Sequence, residues 1–263
     1  MESLEDDFTD VVTKALRGHA LSPAAAASRA GLPIEEIRAF LAGEFSEICA
    51  RRLAEVLDLQ PDALAHHPSF RPHSLEVPQI QRLRLPFDSG MVNAWQITAG
   101  GISVLFDTGY RPGDCIKSLH KPLPTRVFIT HGHRDHIGGL PALFEQGITA
   151  HGAHIPGALE MQAGEDVSLG PLTIRACDLS GHATPALGFH IIGLTQAILV
   201  TGDALFAGSI GGCADPAHYQ IAIERLHQAL APLAAATILL PGHGPATTLA
   251  EERQRNPFLT RIS

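Results

Sequence analysis

The spacing of apolar residues changes after about residue 67. Before that point they recur at helical spacing in short segments, as in PIEEIRAFLAGE (33–44) and SEICARRLAEVLDL (46–59). In the second segment the predicted apolar face includes Ile48 and Leu53. Ser22 and Pro23 indicate a helix start, since a hydroxyl caps the first turn and proline is tolerated there, and Gly31 indicates its end. The first 67 residues therefore predict a small all-α domain.

The pattern beyond residue 79 is that of strands alternating with helices. Short runs rich in Val, Ile and Phe predict buried strands, namely ISVLFDTG, RVFITHG, LTIRACDL, GFHIIG, AILVTGD and ATILLPGHG. Helical patterns such as LPALFEQ and AHYQIAIERLHQALAPL lie between them. This alternation predicts a layered α/β (α+β) domain at 80–263, joined to the helical domain at 1–67 by a proline-containing linker at 68–79.

Four polar side chains follow one predicted strand directly. The sequence TRVFITHGHRDHIGGLPAL places His131, His133, Asp135 and His136 between the strand RVFIT and a helix. Imidazole and carboxylate groups are suited to zinc, manganese or iron. In a loop, residues two apart can converge on one ion while the next pair faces a second. The segment therefore predicts a metal site.

Three more strand ends supply further ligands. They are His182 in LSGHATP, Asp203 in LVTGDALF and His243 in LLPGHGP. The order HGHRDH, GHAT, TGD and PGHG resembles the ligand series of the metallo-β-lactamase superfamily over residues 80–263. This resemblance implies an αββα sandwich and two divalent ions, zinc first, with iron or manganese as alternatives. It assigns His131, His133 and His182 to one ion, Asp135, His136 and His243 to the other, and Asp203 to both.

The resemblance extends to residues outside the ligand set. Asn93 in VNAWQI and Asp107 in VLFDTG match the opening strands of that family, where the aspartate lies beneath the site and orients the ligand loop. LFAGSIGG and PGHGPATTLAEERQRNPFL are similar to segments of short bacterial glyoxalase II-like enzymes. These similarities imply a thioester hydrolase of the hydroxyacylglutathione hydrolase type.

A thioester also fits the chemistry of two adjacent ions. Two divalent cations about 3.5–4 Å apart lower the pKa of a shared water, so that a bridging hydroxide exists at neutral pH, and polarise the substrate carbonyl. Asp135 can bind metal and accept a hydrogen bond from that water, while a thiolate leaving group needs little acid assistance. Since only 20 residues follow His243, we expect the helical C-terminal domain that holds glutathione in glyoxalase II to be missing.

The composition restricts the partners and the location of the protein. The chain has 263 residues, of which 45 % are hydrophobic, and a net charge of −8, which argues against a general attraction to nucleic acid or anionic lipid. MESLEDDFTD lacks the features of a signal peptide, and no apolar run reaches about 18 residues. The four widely spaced cysteines fit reduced thiols. We therefore expect a cytoplasmic protein with a small-molecule substrate and no membrane span, and β-lactam hydrolysis is disfavoured.

The helical segment LSPAAAASRAGLPIEEIRAFLAGEFSEICARRLAEVLDLQPDALA resembles the helix-turn-helix domain of the lambda-repressor-like class, which implies DNA binding. Residues 1–70 contain six Lys or Arg and twelve Asp or Glu, a net charge of −6. This is the wrong sign for phosphate contacts, and Glu35 and Glu36 occupy the presumed recognition helix. We favour a module that mediates homodimerisation or covers the catalytic domain.

Three other functions stay open from the sequence. The first is a persulfide dioxygenase, whose relatives use one iron held by a subset of the same ligands. The second is a metabolite-sensing regulator that binds DNA through the helical domain, and the third is a nucleic-acid-processing member of the superfamily. Oxygen consumption with glutathione persulfide and electrophoretic shifts would separate these from a hydrolase.

Several reactive side chains are interpreted as structural. Nothing around five further histidines points to metal. We also expect Cys213 to be an inert small side chain and Ser209 and Tyr219 to have packing roles, although all three could contact substrate. The five histidines are His151, His154, His190, His218 and His227.

Overall fold

The computed structural model describes residues 2–88 and 90–259. The outer ends of the two predicted domains, Met1 and residues 260–263, lie outside this part of the chain. The N-terminal helices are α1 (Phe8–Gly18), α2 (Pro23–Ala30), α3 (Ile34–Leu41), α4 (Glu47–Val56) and α5 (Pro61–His66), followed by a 3₁₀ turn at His67–Ser69. Residues 70–79 form neither helix nor strand.

The ends of α2 are where the sequence predicts them. The Ser22 hydroxyl accepts a hydrogen bond from the Ala25 backbone N–H at 3.2 Å, Pro23 occupies the first turn, and Gly31 closes the helix with φ +64°. In α4 the buried face is formed by Cys49, Ala50, Leu53 and Ala54. The prediction that Ile48 lies on this face is wrong, since it is 69 % exposed. Ile48 lies in the first turn of the helix, outside the contact with the neighbouring helices.

Two six-stranded sheets follow. The first has the order β1-β2-β3-β4-β5-β6 and the second β12-β11-β10-β9-β8-β7. The strands of the first sheet are β1 (Ile80–Phe87), β2 (Gly90–Ala99), β3 (Ile102–Phe106), β4 (Arg126–Phe128), β5 (Thr149–Gly152) and β6 (Leu159–Glu160). Those of the second are β7 (Asp166–Leu169), β8 (Leu172–Asp178), β9 (Leu187–Ile192), β10 (Ile198–Gly202), β11 (Ile238–Pro241) and β12 (Thr247–Thr248).

Successive side chains along a central strand point alternately into the core between the two sheets and into the core under the outer helices. In β10, Ile198 and Val200 face the core between the sheets, whereas Leu199 belongs to the core on the outer face. The central core also contains Phe106 and Phe189.

The remaining helices are α6 (Pro112–Ser118), α7 (Arg134–Ile137), α8 (Leu140–Glu145), α9 (Pro216–Leu230) and α10 (Leu249–Arg255). Helices α6 and α8 cover the first sheet, and α9 and α10 cover the second. The predicted αββα sandwich with N-terminal helices is confirmed.

The N-terminal helices share one hydrophobic core with the outer layer of the second sheet. Val12 in α1 and Phe40 in α3 belong to the same cluster of buried side chains as Leu226 in α9 and Leu239 in β11. The backbone N–H of Gln60 also donates to the carbonyl of Pro257 at 2.7 Å. The helices therefore extend the sandwich on the side of α9 and α10. Whether residues 1–67 act as a separate domain or a dimerisation unit stays a prediction.

Strand direction gathers the polar loops at one edge. Strand β3 is parallel to β4, and β10 is parallel to β11, so the carboxyl ends of each pair open to the same side.

Within residues 2–88 and 90–259, every helix is too short or too polar to cross a lipid bilayer.

Candidate metal centre

The loop after β4 brings four polar side chains to this edge. His131 lies two residues beyond Ile129, and His133 precedes the first turn of α7. Asp135 and His136 lie within that turn and are buried, as is His131, whereas His133 is exposed. The short helix α7 directly after the loop thus turns Asp135 and His136 inward.

The other three predicted ligands arrive from the second sheet. His182 lies in the connection between β8 and β9, Asp203 follows β10 directly, and His243 follows β11 by two residues. Asp203 and His243 are buried, being 7 % and 8 % exposed. The structure therefore brings all seven predicted site residues together at the interface between the two sheets.

These side chains form two groups whose ligand atoms lie within 4.8 Å of one another. The first group contains His131, His133, His182 and Asp203, and the second contains Asp135, His136, Asp203 and His243. In the first, His133 Nδ1 lies 3.0 Å from His131 Nε2 and 3.1 Å from His182 Nε2. In the second, His243 Nε2 lies 3.3 Å from Asp135 Oδ2. Asp203 is common to both groups.

The second ring nitrogen of four histidines is fixed by a protein acceptor. His131 Nδ1 donates to Thr130 Oγ1 at 3.0 Å and His182 Nδ1 to the Gly212 carbonyl at 2.7 Å. His243 Nδ1 donates to the Met91 carbonyl at 3.1 Å, and His136 Nδ1 to Asp107 at 2.8 Å. With a proton held on Nδ1, each ring presents its Nε2 atom to the group. This is the arrangement that neighbouring acceptors impose on metal-binding histidines.

Two buried atoms support a metal as the missing partner. Among the described residues, His136 Nε2 and Asp203 Oδ1 are inaccessible to water and make no hydrogen bond. Their separation is 3.3 Å. Two ligand bonds of about 2.0–2.2 Å at a tetrahedral angle place ligand atoms about 3.3–3.6 Å apart. The donor set and its spacing therefore fit a divalent cation.

Asp107 supports the ligand loop from below, as the family resemblance implies. It is 2 % exposed, and its Oδ1 accepts the Thr130 backbone N–H at 2.8 Å. Its Oδ2 accepts both the Thr130 hydroxyl and His136 Nδ1 at 2.8 Å. Asn93 similarly donates to the carbonyls of Pro241 and Gly244 at 2.9 Å, on either side of His243.

The charged groups of the metal-free centre stabilise one another. Burial alone would raise the pKa of Asp203, but His136 and His243 hold it well below its ordinary value. Burial alone would lower the pKa of His136, which Asp203 and Asp107 instead raise well above its ordinary value. For His243, hydrogen bonds to Asp135 and Asp203 overcome burial and raise the pKa to about 10. Burial lowers the pKa of His131, so this ring stays neutral.

These shifts predict how the metal-free protein responds to pH. The pKa of His243 is about 10 in the folded protein and 6.5 as its ordinary value, so its stabilising effect is fully present below pH 6.5. It is lost as pH rises toward 10, and we expect the free energy of unfolding to fall by roughly 2–5 kcal/mol across this range.

Urea denaturation of chelator-treated protein between pH 6 and 10 would measure this fall. His243→Gln should reduce the fall to the part that His136 contributes, and metal-loaded protein should not show the fall because Nε2 of both rings then carries no proton. A metal-free profile that does not change on His243→Gln would contradict the assignment.

The residues interpreted as structural lie outside both groups. Cys213 is buried among side chains of the N-terminal helices, and burial raises the pKa of its thiol to about 11, so it stays protonated. Tyr219 packs edge-on against His19, and the Ser209 side chain is fully buried. None of the five histidines interpreted as structural belongs to either group: His151, His154, His190, His218 and His227.

Apart from Asp107, sequence reasoning did not identify the groups that hold the histidine rings. Thr130, which precedes His131, links that ring to Asp107 through its hydroxyl. The carbonyls of Met91 and Gly212 hold His243 and His182. A threonine directly before the first histidine is a usable sequence signal, whereas a backbone carbonyl leaves none.

Comparisons with known proteins agree with this geometry. Residues 88–175 match the family described as the metallo-beta-lactamase superfamily. The chain is 25 % identical over 209 residues to the probable metallo-hydrolase YqgX of Bacillus subtilis, covering 68 % of this chain and 98 % of that protein. It is 30 % identical over 164 residues to the hydroxyacylglutathione hydrolase GloC of Haemophilus influenzae, covering 52 % and 76 %.

Two solved structures extend the similarity to the fold. The BLEG-1 B3 metallo-beta-lactamase superimposes with a TM-score of 0.59 at 25 % identity, over 69 % of this chain and 99 % of that one. TTHA1623, solved in a di-iron-bound form, gives a TM-score of 0.51 at 25 % identity over 72 % and 100 %. Family match, relatives and fold agree, and the chain belongs to the metallo-β-lactamase superfamily.

Proposed function

We propose that the protein is a binuclear metal-dependent hydrolase of a thioester or a related small acyl compound. The observation that carries this proposal is the pair of ligand groups that share Asp203. The name of the Haemophilus relative, hydroxyacylglutathione hydrolase, supports a thioester as the substrate class. The superfamily itself is one of metal-dependent hydrolases, which supports the reaction type.

The proposed ligand assignment follows the two groups. His131, His133 and His182 would hold one ion, Asp135, His136 and His243 would hold the other, and Asp203 is placed to serve as a ligand in both groups. Mixed imidazole and carboxylate ligands suit zinc, and also iron and manganese. A solved relative in a di-iron-bound form supports two ions per chain.

In the proposed hydrolysis, the bound cations and Asp135 have different roles. Two bound cations supply a water of lowered pKa and polarise the substrate carbonyl. Burial alone would raise the pKa of Asp135, but the neighbouring His243 and His136 hold it below its ordinary value, so it is a carboxylate at neutral pH. Its oxygens can accept a hydrogen bond from the attacking water and fix its direction. Departure of a thiolate needs little protonation, so no separate acid is required.

Two half-buried aromatic side chains near His243, Phe87 and Tyr110, provide a surface for the acyl group, whereas Phe206 is buried. The rings of Phe87 and Phe206 lie 5.9 and 5.8 Å from the His243 ring. Phe87 also packs against Tyr110 at 5.6 Å, and the Arg134 guanidinium lies 4.6 Å from the Tyr110 ring. An apolar surface with one cation at its end fits a small acyl compound better than a polymer.

The first experiment is metal analysis by plasma mass spectrometry on protein purified without added metal, followed by a panel of thioesters. About two ions per chain and release of free thiol would support the proposal. A single iron, with oxygen consumption on glutathione persulfide and no thioester hydrolysis, would instead indicate a dioxygenase.

Chelation provides a further prediction. We expect removal of the ions to reduce thioester hydrolysis at least about 100-fold, because the proposed nucleophile is a water that the ions activate. Adding zinc or manganese back should restore it. Thiol release measured with a chromogenic reagent would report both steps, and undiminished hydrolysis by the chelated protein would contradict the mechanism.

A further inference from the structure

The loop 204–213, which follows Asp203, determines the orientation of one candidate metal ligand. Its Gly212 carbonyl accepts the hydrogen bond from His182 Nδ1 at 2.7 Å. A Cβ atom at Gly211 would lie 1.8 Å from the Asp203 carbonyl oxygen and 2.9 Å from His182 Nδ1. The backbone of the loop thus lies directly against both His182 and Asp203, so a displacement of the loop would change the direction of the His182 ring.

Lys14 of α1 contacts this loop at two points. Its Nζ donates to the Ile210 carbonyl at 2.8 Å and lies 5.3 Å from the centre of the Phe206 ring. Phe206 in turn packs edge-on against His243, at 5.8 Å and 84°. One ammonium group therefore contacts the loop that orients His182 and the aromatic ring that lies against His243.

The Lys14 side chain is held in place by its surroundings. It is 21 % exposed and forms a salt bridge with Asp6, whose side chain is 11 % exposed. Ile210 lies in the same hydrophobic core as Val11 and Val12 of α1. Nearby, His67 Nε2 contacts the Gly208 carbonyl at 3.0 Å. The N-terminal segment thus contacts the loop at several points, and Lys14 supplies one of its polar contacts.

We propose that Lys14 is a positioning residue of the metal centre, and that the N-terminal helices hold the loop 204–213 in the conformation that lets His182 bind metal. The inference rests on the metal ligands of the proposed function. It gives the helical segment a role within the same chain, distinct from DNA binding. It also predicts that the two ions respond differently, because the ligand loop after β4 is supported by Asp107, whereas His182 is oriented by the loop that Lys14 contacts.

The test compares Lys14→Met with Lys14→Arg and with Lys117→Met, a control that removes an exposed lysine of α6. Cobalt(II) is the probe, and its affinity is measured by competition with a chelator. We expect Lys14→Met to weaken binding of the ion held by His182 roughly tenfold, the lower end of the range for residues behind a ligand. The visible absorption of that cobalt ion should shift. Lys14→Arg keeps the positive charge and should therefore retain the wild-type affinity and absorption. Lys117→Met should change neither property.

A second variant covers the case in which Lys14→Met leaves the Asp6 carboxylate unpaired and does not fold. Asp6→Asn combined with Lys14→Met removes both charges and should give the same loss of cobalt affinity in a folded protein. Unchanged affinity and absorption in a folded Lys14 variant would overturn the inference. Failure of the wild-type protein to bind cobalt would instead refute the proposed metal site.

Discussion

Replacing Asp203 by Asn is expected to remove both ions and to lower kcat/KM for a thioester at least about 1000-fold, or about 4 kcal/mol in the barrier. Asp203 is the one residue common to both ligand groups. A neutral amide of the same shape cannot supply a negative charge to two cations. The amide also removes the charge that holds His136 and His243 protonated in the metal-free protein, but both imidazoles can become neutral, and we expect the fold to be kept.

The variant His133→Ala distinguishes a ligand shared by both ions, such as Asp203, from a ligand of one ion only. His133 belongs to the first group alone, so this variant should lose the ion of that group and keep affinity for the other. Asp62→Asn is a matched control, since the Asp62 side chain is 82 % exposed and its salt bridge contributes little. Metal content by plasma mass spectrometry, with circular dichroism for folding, decides the outcome. Two tightly bound ions in Asp203→Asn would contradict the shared-ligand arrangement.

The candidate site was predictable from the sequence because its ligands follow strand ends. The carboxyl ends of parallel strands meet at one edge, so ligands at those ends must lie close in space. Asp203 after β10 and His243 after β11 are such a pair. The carbonyls of Met91 and Gly212 were not predictable, because any residue provides a carbonyl and only the packed loops aim it at an imidazole.

The strand predictions were accurate where the strand is buried on both faces. In β10 and β11, adjacent residues face different cores and both are apolar, which gives the continuous run seen in the sequence. Short edge strands such as β6 and β12 have two residues each and leave no such pattern. The contact between Lys14 and Ile210 joins residues far apart in the chain, and helical spacing does not encode it.

Asp107 illustrates how a residue that binds no metal can control one that does. Its backbone has φ +57°, a conformation that Asp and Asn tolerate better than most residues. Its Oδ2 accepts from His136 Nδ1, so the proton that this ring keeps when Nε2 binds metal is the one on Nδ1. A bare Nε2 is what the second ligand group requires of His136.

Asp107→Asn should therefore weaken the ion of the second group without unfolding the protein. The new amide oxygen can still accept the Thr130 N–H, but the amide nitrogen would face His136 Nδ1 with its own hydrogens. His136 must then carry its proton on Nε2, the atom needed for metal. We expect affinity for this ion to fall about 10- to 100-fold and kcat/KM to fall at least about 100-fold.

Nitrogen NMR of labelled histidines in the zinc-loaded protein reports this tautomer directly, and competition with a chelator reports the affinity. Thr130→Ser is the matched control, because it keeps both the hydroxyl and the backbone N–H that Asp107 accepts. If Asp107→Asn retained both the Nδ1-protonated tautomer and full affinity, the position of the proton would be set by the metal alone. If tautomer and affinity change together, the aspartate beneath the loop determines which nitrogen of His136 can bind.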